Sequence, residues 1–319
     1  MDKALNEAPL VSAIMIFLNG AEFIAEAIES IVAQNYRHWE LWLVDDGSTD
    51  ASTEIAQNYA DQYPDTIYYL EHEGHRNRGM SASRNLALRH MRGAYVAFLD
   101  ADDVWLPAKL DQQLAILEAQ PQIGMVYGPT YYWHGWTGEP DDARKDYLKD
   151  PRVRVERLYW PPEVLIRLLH DSGVIPGNCG MLVRADVVKQ IGGFEDTFTS
   201  IYEDQVFFAK VCLATSIYVS STCVARYRQH RNSSCAVAER QGIYHPARPN
   251  QARHAFLDWL EAYFRARHVT NRRLWWALRG QLRPYRRPRF DRILHSAAIA
   301  RRRWHNLNTR IVRRLARRR

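Results

Sequence analysis

The chain has 319 residues, with 43 lysines and arginines against 36 aspartates and glutamates and four cysteines, for a formal charge of +7. Its 46% hydrophobic and 25% charged content is that of an ordinary folded protein, which excludes wholesale disorder, and the length suits one large domain or one with an extension. The charge is divided: Gln251–Arg319 holds 20 arginines, no lysine and three acids (Asp258, Glu261, Asp291), a local +17, so the first 250 residues carry 23 bases against 33 acids, a net of −10.

The first 130 residues alternate between two periodicities. Val11–Phe17 is an apolar run closed by Asn19-Gly20 and predicts a strand; Ala21–Gln34 then places Phe23, Ile24, Ala27, Ile28 and Ile31 at helical spacing. Leu41–Val44 predicts a short buried strand before the turn-forming run Asp45–Asp50, and Ala51–Tyr63 a helix with Asp50 as N-cap. Ile67–Leu70 predicts a strand, Ser81–Met91 a helix and Ala94–Leu99 a buried strand. Pro107–Ala119 predicts a helix opened by proline, and Ile123–Tyr127 a further strand. Such alternation implies a parallel, right-handed α/β sheet that binds ligands at its strand C-termini.

Residues 129–180 are less regular and rich in aromatics: Tyr131, Tyr132, Trp133, Trp136, Tyr147, Tyr159 and Trp160. Both an ordinary core and a ligand-lining surface suit them. Further on, a strand is predicted near Met181–Val183, a helix over Glu203–Leu213 and a strand near Ile217–Tyr227. The tail from Gln251 reads as helical in two or three pieces, interrupted around Pro284 and Pro288.

No apolar run approaches the ~18 residues needed to span a bilayer. Asp2 and Glu7 stand where a secretory signal would be basic. Cys179, Cys212, Cys223 and Cys235 form no CxxC pair and no metal spacing, which favours reduced thiols. A cytoplasmic protein is expected.

Two acidic clusters follow buried strands, where either turn chemistry, which Asp45-Asp46 alone would favour, or ligand binding accounts for carboxylates. Asp45-Asp46 comes after Leu41–Val44, and Asp100-Ala101-Asp102-Asp103 after Tyr95–Leu99. Strand alternation would put Asp100 and Asp102 on one side, where hard oxygen ligands suit Mg²⁺ or Mn²⁺ bound together with substrate phosphates. A third pair, Glu203-Asp204, opens a helical segment whose first-turn acids complement the helix dipole.

With these clusters in order, the chain resembles family 2 inverting glycosyltransferases of the GT-A fold across roughly residues 9–235. The stretches that carry the resemblance are Val11–Asn19, Ala21–Gln34, Trp39–Asp50 (WELWLVDDGSTD), Arg76–Asn85 (RNRGMSASRN) and Gly93–Asp103 (GAYVAFLDADD). They continue in Gly192–Glu195, Tyr202–Asp204 and Tyr227–Ser233 (YRQHRNS). The resemblance implies a Rossmann-like mixed sheet flanked by helices over residues 1–245. Its nucleotide-binding half would be about 9–130 and its acceptor half about 131–245, with an Arg-rich helical extension at 246–319. It further implies a nucleotide-sugar donor, usually UDP-linked. Asp46 then recognises the uracil or ribose, and Arg84 contacts the nucleotide. Asp100 and Asp102 form a DxD motif with Asp102 as the direct ligand of Mn²⁺ or Mg²⁺, Glu203 is among the nucleotide-sugar-binding residues, and Asp204 is the general base for the acceptor hydroxyl. The family's first strand often ends in Pro-x-Tyr-Asn; here Ile16-Phe17-Leu18-Asn19 leaves Leu18 and Asn19 at that position without the aromatic ring. Arg228 and His230 match an element that often approaches the diphosphate or metal.

From Arg289 onward, apolar residues from Phe290 to Leu315 recur at three- and four-residue steps among arginines. This basic amphipathic pattern ranks an anionic membrane surface first as partner of residues 289–319, packing on a protein second and nucleic acid third. The acceptor expected is a glycan, a lipid-linked sugar or a protein, in cell-surface polysaccharide or glycan synthesis. The alternatives are a non-catalytic sugar-nucleotide-binding protein tethered by its tail, and a sugar nucleotidyltransferase. The latter would carry a Gly- and basic-rich loop after the first strand, where this chain has Asn19-Gly20-Ala21-Glu22.

Overall fold

A computed structural model describes residues 8–171, 175–245 and 249–287. The elements run β1 (Val11–Phe17), α1 (Ile24–Val32), β2 (Trp39–Asp45), α2 (Ser52–Gln62), β3 (Ile67–Glu71), α3 (Met80–His90), β4 (Tyr95–Asp100), β5 (Val104–Trp105), α4 (Lys109–Ala119) and β6 (Ile123–Tyr127). They continue as β7 (Tyr131–Trp133), α5 (Pro140–Ala143), β8 (Tyr147–Leu148), β9 (Arg157–Tyr159), α6 (Glu163–His170), β10 (Met181–Arg184), α7 (Ala185–Ile191) and α8 (Glu203–Ala214). After these come β11 (Ser216–Val219), β12 (Ala225–Arg228), α9 (Ser234–Arg240), α10 (Gln251–Ala266) and α11 (Arg272–Arg286).

Eight strands form one sheet in the order β3-β2-β1-β4-β10-β6-β11-β9. The pairs β2/β3, β1/β2, β1/β4 and β6/β11 are parallel, whereas β10 runs antiparallel to both β4 and β6, and β9 antiparallel to β11. The sheet is therefore mixed, as the GT-A resemblance implies, and not the all-parallel sheet that alternation alone suggests. Alternation is a local signal, and the antiparallel insertion of β10 comes from far along the chain. β1 and β2 are buried along their whole length, which is why they read as near-continuous apolar runs. Polar groups inside are matched: Glu40 on β2 accepts bonds from Ser12 Oγ (2.6 Å) and from Arg92 N and Nε (2.7 Å each).

A second sheet of four short strands, β5-β12-β7-β8, stands beside the turn that follows β4. It corrects one expectation. The stretch read as a single strand near Ile217–Tyr227 is two strands, β11 in the large sheet and β12 in the small one, separated by residues 220–224. Among the described residues the chain falls into two compact units, one ending at Tyr244 and the next starting at His245. In the second, α10 and α11 bury Phe256, Leu257, Leu260, Phe264, Leu274, Ala277, Leu278 and Leu282. Pro284 lies inside α11, in its last turn, and does not interrupt it. No described helix is long and apolar enough to cross a membrane. The basic pattern of residues 289–319 lies outside the described residues.

Candidate active site

The parallel strands bring three C-terminal ends level. In register, Phe17 stands beside Asp45 and Ile16 beside Asp100, so the loops after β1, β2 and β4 open on one rim. Asn19, in the left-handed region at φ 52°, ties two of these loops together. Its N–H donates to Ser48 Oγ (3.1 Å), and its Oδ1 accepts from Thr49 N (2.7 Å). Leu18 beside it is 47% exposed.

The two aspartates after β2 have separate tasks. Asp45 is fully buried and accepts from Gly47 N (3.1 Å), Ser48 N (2.7 Å) and Thr53 Oγ1 (2.5 Å), so it builds the turn. Asp46 reaches across to the start of α3, where its carboxylate accepts from Arg78 N (2.7 Å) and Gly79 N (3.0 Å). Gly79 has φ +88°, and a Cβ there would sit 2.7 Å from Thr199 Cβ, so only glycine fits this approach.

Arg84, on α3, is the hub. Only 2% exposed, its Nη2 donates to Asp100 Oδ1 at 2.7 Å and its Nη1 to Glu203 Oε1 at 3.1 Å. It therefore joins the end of β4 to the start of α8, residues 119 apart in sequence from Arg84 to Glu203. Burial opposes its charge, but Asp100 and Glu203 more than offset that and hold it protonated. The Glu203-Asp204 pair is perturbed the other way. Burial pushes both carboxyls above the usual range, with Asp204's charge adding to the rise at Glu203 and Arg84 pulling back on both. Asp204 Oδ1 also accepts from Gln205 N at 2.7 Å. A carboxylate raised towards neutrality in this way suits proton abstraction.

The DxD acids diverge. Asp103 N–H donates to Asp100 O at 3.0 Å, which closes a turn directly after β4 and ends the strand alternation on which a shared side was predicted. Asp100 faces Arg84, while Asp102 Oδ2 lies 2.9 Å from His230 Nε2. Arg228, 3% exposed, organises this turn from behind. Its N–H donates to Asp103 Oδ1 (3.0 Å), its Nε to Asp102 O (2.7 Å) and its Nη2 to Glu26 Oε2 (2.5 Å). The guanidinium lies 4.8 Å from the Phe23 ring centre, 4.6 Å from Trp133 and 5.2 Å from Trp136. The sequence pointed to Arg228 and His230 but gave no sign of Glu26 or of this aromatic cage. Trp133 and Trp136 are thereby occupied in holding a cation of the protein itself.

Among the described residues no three His, Cys, Asp or Glu side chains form a ready-made metal cage. The donor set nonetheless fits Mg²⁺ or Mn²⁺. The Asp100 and Asp102 side chains are 31% and 28% exposed at the rim with one oxygen of each engaged, and such ions bind through one or two carboxylates plus substrate phosphates.

The sequence pattern of glycosyl transferase family 2 matches residues 12–191, more than half of the chain. The chain belongs to this family. This family 2 glycosyltransferase is 43% identical over 122 residues to a Bacillus subtilis protein assigned as the glycosyltransferase EpsE, covering 38% of this chain and 43% of the relative. It is 40% identical over 114 residues to another from the same organism, assigned as the teichuronic acid biosynthesis glycosyltransferase TuaG, covering 35% and 43%. The matches thus span less than half the length of either relative. Among solved structures it is similar to S. aureus TarS (residues 1–349) in complex with UDP-GlcNAc, with a TM-score of 0.55 and 21% identity over 70% of this chain and 60% of that one. It is also similar to the mannosyltransferase PcManGT from Pyrobaculum calidifontis in complex with GDP-Man and Mn²⁺, with a TM-score of 0.53 and 18% identity over 93% and 81%. These neighbours share the GT-A fold with this chain.

Proposed function

We propose that this family 2 glycosyltransferase moves a sugar from a nucleotide-sugar, UDP-linked, to an acceptor hydroxyl with inversion at the anomeric carbon, in the synthesis of a cell-surface polysaccharide. The observation that carries this reading is the buried Arg84 bridge. It sets the donor-side acid Asp100 and the Glu203-Asp204 pair around one guanidinium, so the leaving-group end and the base end of a displacement are held by one side chain. The UDP-GlcNAc held by TarS and the GDP-Man held by PcManGT support a nucleotide-sugar donor, and the assigned role of TuaG supports a polysaccharide product.

In this reading Leu18, Asn19 and Asp46 border the nucleoside, and Asp204 takes the proton of the acceptor hydroxyl. Arg84 keeps Asp100 and Glu203 in place, and Arg228 and His230 hold the backbone and carboxylate of Asp102. A divalent ion bound by Asp102 and Asp100 would neutralise charge on the departing diphosphate. The nucleotidyltransferase alternative is disfavoured by the loop after β1. Its Gly20 and Ala21 N–H groups donate to Ser52 Oγ (2.8 Å) and Asp50 Oδ2 (3.1 Å) and so are engaged within the protein, not open to a triphosphate. Asp102→Ala is the test of the donor-side assignment. Calorimetric affinity for UDP-GlcNAc in MnCl₂ should fall at least about tenfold, the order of a lost charge-assisted contact. Unchanged affinity would remove Asp102 from the site.

Contact with an anionic membrane surface at the cytoplasmic face, through residues 289–319, is part of the proposal. In the second unit, Trp276 is 71% exposed on α11, and Arg272 and Arg279 lie four residues before and three after it, on the same face. Asp258 and Glu261, the acids of α10, are already paired with Arg286 and Arg265. A chain truncated after Arg287 should lose most of the co-sedimentation with phosphatidylglycerol vesicles shown by the full chain. Equal co-sedimentation would place the contact elsewhere.

A further inference from the structure

We propose that the exposed ring of Tyr147, stacked on Tyr132, is the platform on which a pyranose ring of the acceptor lies; this deepens, and rests on, the transferase reading above. The small sheet carries three tyrosines in one row. Tyr227 on β12 is in register with Tyr132 on β7, and Tyr132 with Tyr147 on β8. Their ring centroids are 5.1 Å apart (edge to face) and 5.0 Å apart (stacked, 25° between planes). Strand alternation sends the neighbours of this row to the opposite face, where Trp133 meets the guanidinium of Arg228.

The row has an inner and an outer end. Tyr227 is adjacent to Arg228, whose N–H is held by Asp103 at the turn that carries Asp102. Burial raises the Tyr227 hydroxyl, with Cys235, Asp103 and Asp102 adding to the rise. Tyr147, at the outer end, is 49% exposed on an edge strand. Lys149 N–H donates to Thr130 O at 2.9 Å, so the pairing continues past Leu148 and returns the Lys149 side chain to the Tyr147 side. Its Nζ stands 5.6 Å from the Tyr132 ring centre and donates to Ile175 O at 3.4 Å, and burial lowers its pKa. The row therefore leads from the DxD turn out to solvent.

An aromatic face matches the C–H face of a hexopyranose. Because Tyr147 is already stacked, little side-chain freedom is lost when a sugar settles on it. Acceptor recognition is thus assigned to β8, apart from the nucleotide side at the ends of β1 and β2.

The test uses the full chain and saturation-transfer NMR, with methyl β-D-glucopyranoside, methyl β-D-galactopyranoside and methyl β-D-glucuronide as acceptor probes and UDP-GlcNAc as donor probe. The natural chain should bind at least one pyranoside through its ring protons. Tyr147→Ala should weaken that binding about fivefold and Tyr147→Phe should retain it, a range set by one aromatic contact. UDP-GlcNAc binding should be the same in all three. No binding of any pyranoside by the natural chain, or equal binding by Tyr147→Ala, would overturn the platform. A chain that binds pyranosides through Tyr147 but no nucleotide-sugar would instead overturn the donor reading.

Discussion

Replacing Asp204 with asparagine is expected to lower turnover by about 10²–10⁴-fold, the contribution of a positioned general base. Nucleotide-sugar affinity and melting temperature should stay close to those of the natural chain. The amide has nearly the shape of the carboxylate, and its oxygen can still accept from Gln205 N. It cannot take a proton from an attacking hydroxyl. Removing the charge also relieves its repulsion of Glu203, so loss of activity through unfolding is not expected. The same group fixes the pH dependence. Asp204 is inactive as a base when protonated, so the rate should rise with pH as it ionises. Burial raises its carboxyl above the usual value, so the midpoint of that rise should lie above the ordinary aspartate value of about 3.9. An activity profile whose acid limb falls at the ordinary value would show that Asp204 is not the titrating base in this environment.

Arg84→Met should have the largest effect on stability. Removing a buried cation strands Asp100 and Glu203, and leaving a buried charge without its partner costs about 3–5 kcal/mol. Thermal unfolding should shift down by on the order of 5–10 °C, and transfer should be lost because the two ends of the site are no longer joined. Methionine nearly conserves the volume and can still pack on the Phe194 ring, whose centre is 5.2 Å from the guanidinium carbon, so a steric explanation is weakened. Arg84→Lys keeps a charge but cannot span two carboxylates with a planar fork, and should fall between the two in both readouts. A melting temperature unmoved by Arg84→Met would show that the bridge contributes nothing to holding the site.

Much of this was legible in the sequence, for identifiable reasons. β1 and β6 run from Val11 to Phe17 and from Ile123 to Tyr127, the limits that their apolar runs predict, because strands buried on both faces leave an unbroken hydrophobic signature. The acids at the ends of β2 and β4 were visible because carboxylates directly after such strands are out of place unless a ligand or a turn needs them. The aspect that stayed hidden is long-range. Glu26 and Arg228 are 202 residues apart, and nothing local in α1 or β7 marks Phe23, Glu26 and Trp133 as walls around one guanidinium. The Asp50 cap was nearly placed: Asp50 Oδ1 accepts from Ser52 N at 2.9 Å, but α2 starts at Ser52 with Ala51 in the cap position. The division of Ile217–Tyr227 between two sheets had a cue in Ser220-Ser221-Thr222, which apolar patterning outweighed.

The central claim is an inverting displacement on a nucleotide-sugar at the Arg84-linked carboxylates. Proton NMR of the anomeric region, followed while the full chain acts on UDP-GlcNAc, UDP-glucose, UDP-galactose and GDP-mannose in the presence of Mg²⁺, tests it most directly. At least one donor should be consumed, with its nucleoside diphosphate appearing and the first-formed sugar product showing the opposite anomeric configuration. A product with retained configuration, or no consumption of any of the four donors, would contradict the account.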